Sequence, residues 1–217
     1  MTFDLFADDA SVNPEQQELA SGAFLLRGFA TAASEDLIRD IKIILRQAPL
    51  RYLQTPGGLT MSVAMSNCGT VGWHSDRDGY RYQTTDPSTG LAWPAMPQSF
   101  SRLAHDAALA AGYSNFTPDA CLINRYQPGS KLSLHQDQGE RDLRAPIVSV
   151  SLGLPAIFLF GGLQRSDKAY KIALHSGDVV VWGNASRLAF HGIATLQDGQ
   201  HPLTGRCRLN LTFRQAN

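Results

Sequence analysis

Residues 145–162 have the sequence APIVSVSLGLPAIFLFGG, which contains two short apolar runs separated by glycine and proline. Each run has the length of a single buried strand, and glycine and proline are the residues that most strongly mark a turn. The stretch therefore predicts two short strands joined by a turn.

Runs of the same kind continue through the chain from residue 119 to its end. Turn sequences such as QPGS and HSGD separate them. Eight short strands at this spacing favour a sandwich or a jelly roll over a parallel α/β sheet. The eight runs are DACLINRY, KLSLHQD, APIVSVSLGL, AIFLFGG, KIAL, DVVVW, SRLAFHGI and RCRLNLTFR.

The N-terminal half mixes helices and strands. Residues 34–49 place their apolar side chains on one helical face, with Ser34 as the expected N-cap. A second helix is predicted over residues 98–112, with its terminal glycine placed to end it. Strands are predicted over 22–29 and 59–66, and a loop is expected over 67–98.

These patterns predict an α+β fold in one domain that spans residues 1–217. A double-stranded β-helix, or jelly roll, is expected over residues 116–217, and an α/β layer over residues 21–115. Residues 1–20 are polar and aperiodic, which is typical of a loosely held arm.

The composition is that of a globular protein, with 217 residues of which 43% are hydrophobic and 18% are charged. No basic segment precedes an apolar run at the N-terminus, and no apolar stretch approaches the length of a membrane span. We therefore expect no signal peptide and no membrane partner. The three cysteines are scattered, which predicts free thiols in a reducing cytoplasm. We expect a monomer.

The net charge of zero does not by itself favour nucleic acid as a partner. Residues 1–40 contain eight acidic and two basic side chains, so the remainder carries 17 basic and 11 acidic ones. This modest excess of positive charge permits phosphate contacts but does not predict them.

The sequence HQD places two candidate metal ligands in one strand. His135 and Asp137 are two residues apart, so their side chains point to the same face. Two histidines and one carboxylate form the facial triad of non-haem Fe(II) oxygenases. The second histidine has to come from downstream, where only His175, His191 and His201 are found. Of these, His191 ends a strand pattern and is favoured.

The last predicted strand, RLNLTFR, supplies candidate anion-binding residues. Arg208, Asn210 and Arg214 share one face of it, opposite an apolar face that belongs in the core. Buried arginines require an anionic partner, and a dicarboxylate satisfies both of them. Asn124 and Tyr126 share a face one hairpin before the metal pair and can donate to a carboxylate. An ordinary exposed polar face is the alternative.

These residues together resemble the Fe(II)/2-oxoglutarate dioxygenases. More narrowly, several stretches are similar to the AlkB family of alkylated-base repair dioxygenases, and the similarity covers nearly the whole chain from about residue 3. They are TPGG, MSVAMSNCG, WPAMPQSF, PDACLINRY, APIVSVSLGLPAIFLFGG, GDVVVWG and NLTFRQA. The resemblance implies a jelly-roll enzyme that uses Fe(II), 2-oxoglutarate and O2. Its activity would be oxidative demethylation of bases such as 1-methyladenine and 3-methylcytosine, with release of formaldehyde.

The resemblance also implies a role for each motif residue. Iron would be bound by the catalytic residues His135, Asp137 and His191. The co-substrate 2-oxoglutarate would be held by Asn124, Arg125, Tyr126, Arg208, Asn210 and Arg214. The α/β layer would recognise the nucleotide through Trp73, Tyr80, Arg81 and Tyr82, together with Arg165 from a matching loop.

The implied partner is a nucleic acid, with alkylated single-stranded DNA expected and RNA as the alternative. A methyl group on the pairing edge of a base is unreachable inside a duplex, so the nucleotide must be extruded. Trp73 and the metal-fixed His135 are expected to clamp the base, and Arg77 to contact a flanking phosphate.

One position departs from the family pattern. The family typically has an acidic residue two positions after HQD, where it contacts the exocyclic group of the base. This chain has Gly139 there, followed by Glu140 and, further on, Asp142. Either one of these acids substitutes from a shifted loop, or base discrimination differs. His74 is expected not to be a metal ligand.

Two other classes of function remain open from the residues. A hydroxylase of a protein or small molecule would keep the triad and the arginines, but it has no evident need for Trp73 among basic and aromatic neighbours. A jelly-roll binding module with Zn²⁺ in the same site would leave the pair Arg208 and Arg214 unexplained.

Overall fold

The computed structural model describes residues 15–217, and its elements are mainly antiparallel strands. In chain order they are β1 (Gln16–Ala20), β2 (Ala23–Leu26), α1 (Ser34–Gln47), β3 (Arg51–Gln54), β4 (Thr60–Gly69), β5 (Gly72–Asp76), β6 (Gly79–Gln83), α2 (Gln98–Ala110), β7 (Ala120–Tyr126), β8 (Leu132–His135), β9 (Ile147–Gly153), β10 (Ala156–Phe160), β11 (Tyr170–Leu174), β12 (Val179–Trp182), β13 (His191–Ile193) and β14 (Arg208–Arg214).

Two sheets form the jelly roll. The larger sheet has eight strands in the order β1-β2-β12-β9-β14-β7-β4-β3, and the smaller has four in the order β11-β10-β13-β8. All eight strands expected after residue 119 are present, four of them in the centre of the larger sheet and four making up the smaller sheet. The predicted jelly roll is therefore confirmed.

Strand β14 lies in the middle of the larger sheet, between β7 and β9. Every residue of it is buried. Its apolar side chains, such as Leu211 and Phe213, pack in a core shared with both helices. Its polar side chains therefore point to the other face, as the alternation predicted. A second core, which contains Phe158, Phe160 and Trp182, includes residues of both sheets.

The N-terminal strands extend the larger sheet at both of its edges. Strands β1 and β2 add to β12, and β4 and β3 add to β7. The expected α/β layer is therefore continuous with the jelly-roll sheet through its strands, while α1 and α2 pack on one face of that sheet.

Three local expectations need correction. Residues 16–20 of the expected arm form an edge strand, while residues 1–14 lie outside the described residues. The expected loop over 67–98 contains the hairpin of β5 and β6, which forms a separate two-stranded sheet. The N-cap of α1 is Ala33, and the Ser34 hydroxyl donates instead to the Ala30 carbonyl. Within residues 15–217, no helix is long and apolar enough to cross a membrane.

The stability of the sheet edge is predicted to depend on Asp178. Its buried carboxylate accepts hydrogen bonds from Arg27 Nη1 and from the backbone N–H groups of Gly28 and His175, at 2.8–2.9 Å. We expect Asp178→Ala to lower the free energy of unfolding by about 3 kcal/mol, because it leaves buried donors unpaired.

Urea denaturation followed by circular dichroism measures this change. The matched control is Asp198→Ala, which removes an exposed ion pair with Arg206 and should leave the midpoint unchanged. Equal midpoints for both variants would contradict the assigned role of Asp178.

Candidate active site

A cavity of about 940 Å³ opens between the β5–β6 hairpin and the jelly roll. Its volume lies at the upper end of the range of ligand-binding sites, about 300–1,000 Å³. Residues from the hairpin, from both sheets and from the loop after β10 line it. Among them are Trp73, Tyr80, Arg81, Tyr82, Asn124, Tyr126, His135, Asp137, Arg165, Asn210 and Arg214.

His135, Asp137 and His191 meet in this cavity region. One ligand atom from each lies within 4.8 Å of the others, and no other such cluster of three or more His, Cys, Asp or Glu residues occurs within residues 15–217. The Asp137 carboxylate lies 3.7 Å from His135 Nε2 and 3.8 Å from His191 Nε2. His74 is not part of the cluster; its Nε2 lies 3.3 Å from Asp76.

Strand pairing explains why residues so far apart in sequence meet. His135 is the last residue of β8 and is paired directly with His191, the first residue of β13. Gly192 permits this close approach, because a Cβ atom there would lie 2.5 Å from the backbone oxygen of Leu132. The glycine of the FHG motif therefore contributes to the metal site through the spacing of the two strands.

Hydrogen bonds prepare both imidazoles to bind a metal through Nε2. His135 Nδ1 lies 2.9 Å from the Ser133 carbonyl, and His191 Nδ1 lies 3.0 Å from the Ala189 carbonyl. A carbonyl only accepts, so each Nδ1 carries a proton, and Nε2 is the nitrogen left to bind a metal. Burial, with the adjacent His135, lowers the pKa of His191 to about 4. His191 is therefore neutral at pH 7, as a metal ligand must be.

The Asp137 carboxylate is held in its ionised form. Burial alone would raise its pKa, but the positive charge of Arg214 and the nearby histidines outweigh that effect, and the net pKa lies well below its usual value. Arg214 donates to Asp137 Oδ2 from Nε at 2.9 Å and from Nη2 at 2.6 Å. The cluster thus offers two imidazole nitrogens and one carboxylate, the donor set that suits Fe(II).

A group of buried polar side chains lies on the facing strands β7 and β14. Their register pairs Tyr126 with Arg208 and Asn124 with Asn210. Arg208 Nη2 donates to Ser151 Oγ at 2.9 Å, and its guanidinium carbon lies 4.9 Å from the centre of the Tyr126 ring. Asn210 donates to Ser149 Oγ and to the Val150 carbonyl. These hydrogen bonds orient the side chains but leave some of their polar atoms without a partner.

Several buried polar atoms in this group have no partner. Within residues 15–217, Arg208 Nε and Nη1 and Asn124 Oδ1 make no hydrogen bond. A buried guanidinium with two unpaired donors is strongly unfavourable unless an anion completes it. A carboxylate supplies the required acceptors in bidentate geometry. The residues present therefore fit a dicarboxylate such as 2-oxoglutarate.

Arg125 does not belong to this group, contrary to its predicted role. Strand alternation turns its side chain to the opposite face from Asn124 and Tyr126. There it lines a second cavity of about 180 Å³ together with Lys42 and Cys207.

The hairpin supplies an aromatic wall to the main cavity. The rings of Trp73 and Tyr80 stack with their centres 5.7 Å apart and their planes at 17°. Two side-chain bonds from Asn67 hold the backbone of Trp73 in place. Arg165 also lines the cavity, with its guanidinium over the Phe190 ring. The wall offers flat surfaces on which a base can stack.

Arg81 and Tyr82 lie at the cavity but already have partners. Arg81 donates through both terminal nitrogens to Asp76, at 2.7 and 2.6 Å. The Tyr82 hydroxyl donates to Glu140 Oε1 at 2.7 Å. Burial raises the pKa of Tyr82 well above its usual value, so the phenol stays protonated.

Neither acid near Gly139 is available to a base. The side chain of Glu140 is only 2% exposed, and it is paired with Arg187 and with Arg214. Asp142 is paired with Arg144 and does not line the cavity. The acidic substitute expected from a shifted loop is therefore not provided by either residue.

Sequence reasoning missed the residues that hold the site side chains in place through hydrogen bonds. Ser149 and Ser151 anchor the β14 side chains, and the alternation in VSVSL places both on one face, so this pair was detectable. Arg187 was not, because it lies in the predicted strand SRLAFHGI, whose first residues instead lie in or directly after a short 3₁₀ turn, and β13 begins only at His191. It donates to the backbone oxygen of Asp137 at 2.8 Å and to Glu140.

A two-histidine, one-carboxylate cluster on a jelly roll, beside buried arginines, defines the class of non-haem Fe(II) oxygenases. The sequence model of the 2OG-Fe(II) oxygenase superfamily matches residues 22–214. The chain belongs to this superfamily, whose enzymes require Fe(II), 2-oxoglutarate and O2.

The relatives define the branch of the superfamily. The alpha-ketoglutarate-dependent dioxygenase AlkB of Escherichia coli (strain K12) is 63% identical over 98% of this chain and 97% of that protein. The AlkB homolog of Caulobacter vibrioides is 40% identical over 85% of this chain and 83% of that protein. The solved structure of OsALKBH1 has a TM-score of 0.81 and 33% identity, and covers 93% of this chain and 100% of its own.

We predict that 2-oxoglutarate stabilises the protein through Arg208. At about 100 times its dissociation constant, a ligand that binds only the folded state adds about 2.7 kcal/mol of stability. The shift in melting temperature on adding 2-oxoglutarate to the Fe(II)-loaded protein without O2 measures this effect. Arg208→Met should lose most of the shift, because it removes the two unpaired donors.

Arg206→Met is the matched control for this measurement. Arg206 lies two residues away but pairs on the surface with Asp198, so this variant should keep the full shift. A full shift in Arg208→Met would contradict the role of its guanidinium.

Proposed function

We propose that the protein is an Fe(II)- and 2-oxoglutarate-dependent dioxygenase that demethylates N-alkylated bases in nucleic acid. Bases such as 1-methyladenine and 3-methylcytosine are the proposed substrates. The observation that carries the proposal is the shared cavity, in which His135 and Asp137 of the metal cluster and the Trp73–Tyr80 stack line the same space. The high identity to enzymes named AlkB supports it. So does the human relative named nucleic acid dioxygenase ALKBH1, 34% identical over 57% of this chain and 30% of that protein.

The proposed ligands of iron are His135, Asp137 and His191. The proposed residues for 2-oxoglutarate are Asn124, Tyr126, Arg208, Asn210 and Arg214. Bound Fe(II) and 2-oxoglutarate would supply the chemistry that uses O2: one oxygen atom would oxidise 2-oxoglutarate to succinate and CO2, and the other would enter a C–H bond of the N-methyl group. The N-hydroxymethyl group then breaks its C–N bond, releasing formaldehyde and the unmodified base.

The residues of this chain contribute placement rather than chemistry of their own. The Arg214 charge keeps Asp137 ionised, and the backbone carbonyls of Ser133 and Ala189 orient the two imidazoles. The aromatic wall would face an extruded base. The base must leave the stack of neighbouring bases before its methyl group becomes accessible. Correct placement of the methyl group accounts for a large part of the acceleration expected of such a site.

We propose alkylated single-stranded DNA as the main substrate, with RNA as the alternative. Extrusion of a base requires the least free energy where no partner strand has to be displaced. Stacking on Trp73 and Tyr80 tolerates any base, and Arg77 and Arg165 are proposed phosphate contacts. Since Glu140 and Asp142 are occupied, we propose that recognition relies on stacking more than on a carboxylate.

We further propose that the chain acts as a single-domain monomer in the cytoplasm. One chain contributes the metal cluster, the co-substrate residues and the aromatic wall. Its three cysteines are free, two of them buried, which fits a reducing compartment.

The test is anaerobic loading with Fe(II), followed by air, 2-oxoglutarate and a single-stranded oligonucleotide carrying one 1-methyladenine. Mass spectrometry should show loss of one methyl group, dependent on both Fe(II) and 2-oxoglutarate. His191→Ala should abolish it, whereas His175→Ala, at an exposed position in a turn, should keep it. Succinate without demethylation would point to another substrate class. If neither succinate nor demethylated base forms, the result would favour a non-enzymatic binding module.

The aromatic wall gives a separate prediction. Trp73→Ala should weaken oligonucleotide binding by about 1–3 kcal/mol, or roughly 5- to 150-fold, because one stacking surface is lost. Fluorescence anisotropy of a labelled oligonucleotide measures the affinity. The affinity for 2-oxoglutarate should stay unchanged. A loss of affinity for both the oligonucleotide and 2-oxoglutarate would indicate a folding defect instead.

A further inference from the structure

The second cavity, of about 180 Å³, lies on the face of the larger sheet that α1 covers. Strand alternation separates it from the main cavity. Arg125 and Leu209 are paired in the register of β7 and β14, and both line the second cavity, whereas Arg208 and Asn210 point to the opposite face. A ligand of the second cavity would therefore contact side chains other than those proposed for 2-oxoglutarate.

Apolar side chains form most of the wall of this second cavity. Some come from one face of α1, and the others come from the segment before β3, the loop before β14 and β14 itself. They are Ile38, Ile41, Leu45, Leu50, Leu203 and Leu209. The volume is that of about six water molecules at about 30 Å³ each. The cavity is therefore suited to the short apolar chain of a small ligand.

The charged side chains that line the second cavity are both cations. Lys42 and Arg125 are present, and among the described residues no acidic side chain lines the cavity. Arg125 Nε is buried and has no hydrogen-bond partner within residues 15–217. Burial raises the pKa of the Cys207 thiol, so the thiol is neutral at pH 7 and does not balance the positive charge. A buried guanidinium nitrogen without a partner requires an acceptor, and an anionic acceptor is the strongest.

Lys42 has no acidic neighbour along its own helix. Residues three or four positions apart on a helix lie side by side. For Lys42 these residues are Ile38, Arg39, Leu45 and Arg46. Lys42 is exposed, so its charge lies where the cavity meets the solvent. The second cavity therefore combines an apolar interior with a positively charged entrance.

We propose that this cavity is a second ligand site, which takes a small monocarboxylate with an unbranched chain of about six carbons. The carboxylate would accept a hydrogen bond from Arg125 and face Lys42, and the chain would lie among the leucine and isoleucine side chains. A dicarboxylate fits less well, because its second charge would enter the apolar part of the cavity without a partner. The site needs neither a metal nor nucleic acid, so it does not rest on the proposed function.

Isothermal titration calorimetry with a series of straight-chain carboxylates tests this site. The Fe(II)-loaded protein is used without O2 and with saturating 2-oxoglutarate, which fills the proposed co-substrate site. The affinity should increase about 4-fold for each methylene group added from propanoate to hexanoate, because each group is buried against apolar side chains. It should increase no further at octanoate, since the cavity is then full. Affinities that do not depend on chain length would overturn the proposal.

The variant Arg125→Met tests the contact with the carboxylate. It should lower the affinity for hexanoate by at least about 10-fold, because a charge-assisted hydrogen bond is lost. The matched control is Arg102→Met, which removes an exposed arginine of α2 that does not line the cavity. This control should keep the wild-type affinity. Equal affinities in Arg125→Met and the wild type would overturn the assigned role of Arg125.

A purely structural role of Arg125 would give a different result. Arg125→Met replaces an unpaired, partly buried charge with an apolar side chain, so the melting temperature without hexanoate should not fall. A lower melting temperature would show that the guanidinium stabilises the fold without a ligand, and would overturn the site.

The same titration without 2-oxoglutarate locates the bound hexanoate. The affinity for hexanoate should be the same with and without 2-oxoglutarate, because the two ligands would occupy opposite faces of the sheet. Competition between them would place hexanoate in the main cavity and overturn the second site. A failure of the proposed demethylation would leave all of these binding results unchanged.

Discussion

The burial of two arginines in β14 is the constraint on which the site depends. Arg208 and Arg214 lie in a strand whose residues are all buried, so each guanidinium needs an anion nearby. Arg214 finds Asp137 and Glu140. Among residues 15–217, Arg208 contacts only the Ser151 hydroxyl and the face of Tyr126 as polar or π partners, and two of its donors have no partner. The charge of Arg214 is therefore neutralised by carboxylates of the protein itself, whereas the charge of Arg208 requires an anionic ligand.

The site is divided between the two sheets of the jelly roll. The proposed metal-binding imidazoles come from the paired ends of β8 and β13 in the smaller sheet, and the proposed carboxylate-binding side chains from β7 and β14 in the larger one. Asp137 and Arg214 connect the two sets across the interior. The aromatic wall belongs to neither sheet, because within residues 15–217 β5 and β6 pair only with each other. The proposed metal and 2-oxoglutarate residues therefore lie on the two main sheets, and the aromatic wall lies on a separate two-stranded element.

Much of this organisation was predictable from the sequence, for reasons that differ between elements. The eight C-terminal strands were predictable because short apolar runs alternate with strong turn residues. His135 and Asp137 were predictable because residues two apart in a strand share a face. The same alternation argues against Arg125, whose assignment to 2-oxoglutarate came from the resemblance alone. The hairpin and β1 were missed, since both are polar and are held by tertiary contacts such as the Asn67 side chain rather than by their own patterns.

The most direct measurement is an equilibrium titration of the metal-free protein with Fe(II) in the absence of O2. If Asp137 is the carboxylate that moves from Arg214 to a metal, the wild type should bind one Fe(II) per chain. Asp137→Ala should bind Fe(II) more weakly by about 100-fold or more, because the site loses its only anionic ligand. Asp142→Ala, which removes a carboxylate paired outside the cavity, should match the wild type. Unchanged Fe(II) affinity in Asp137→Ala would contradict the assigned metal site.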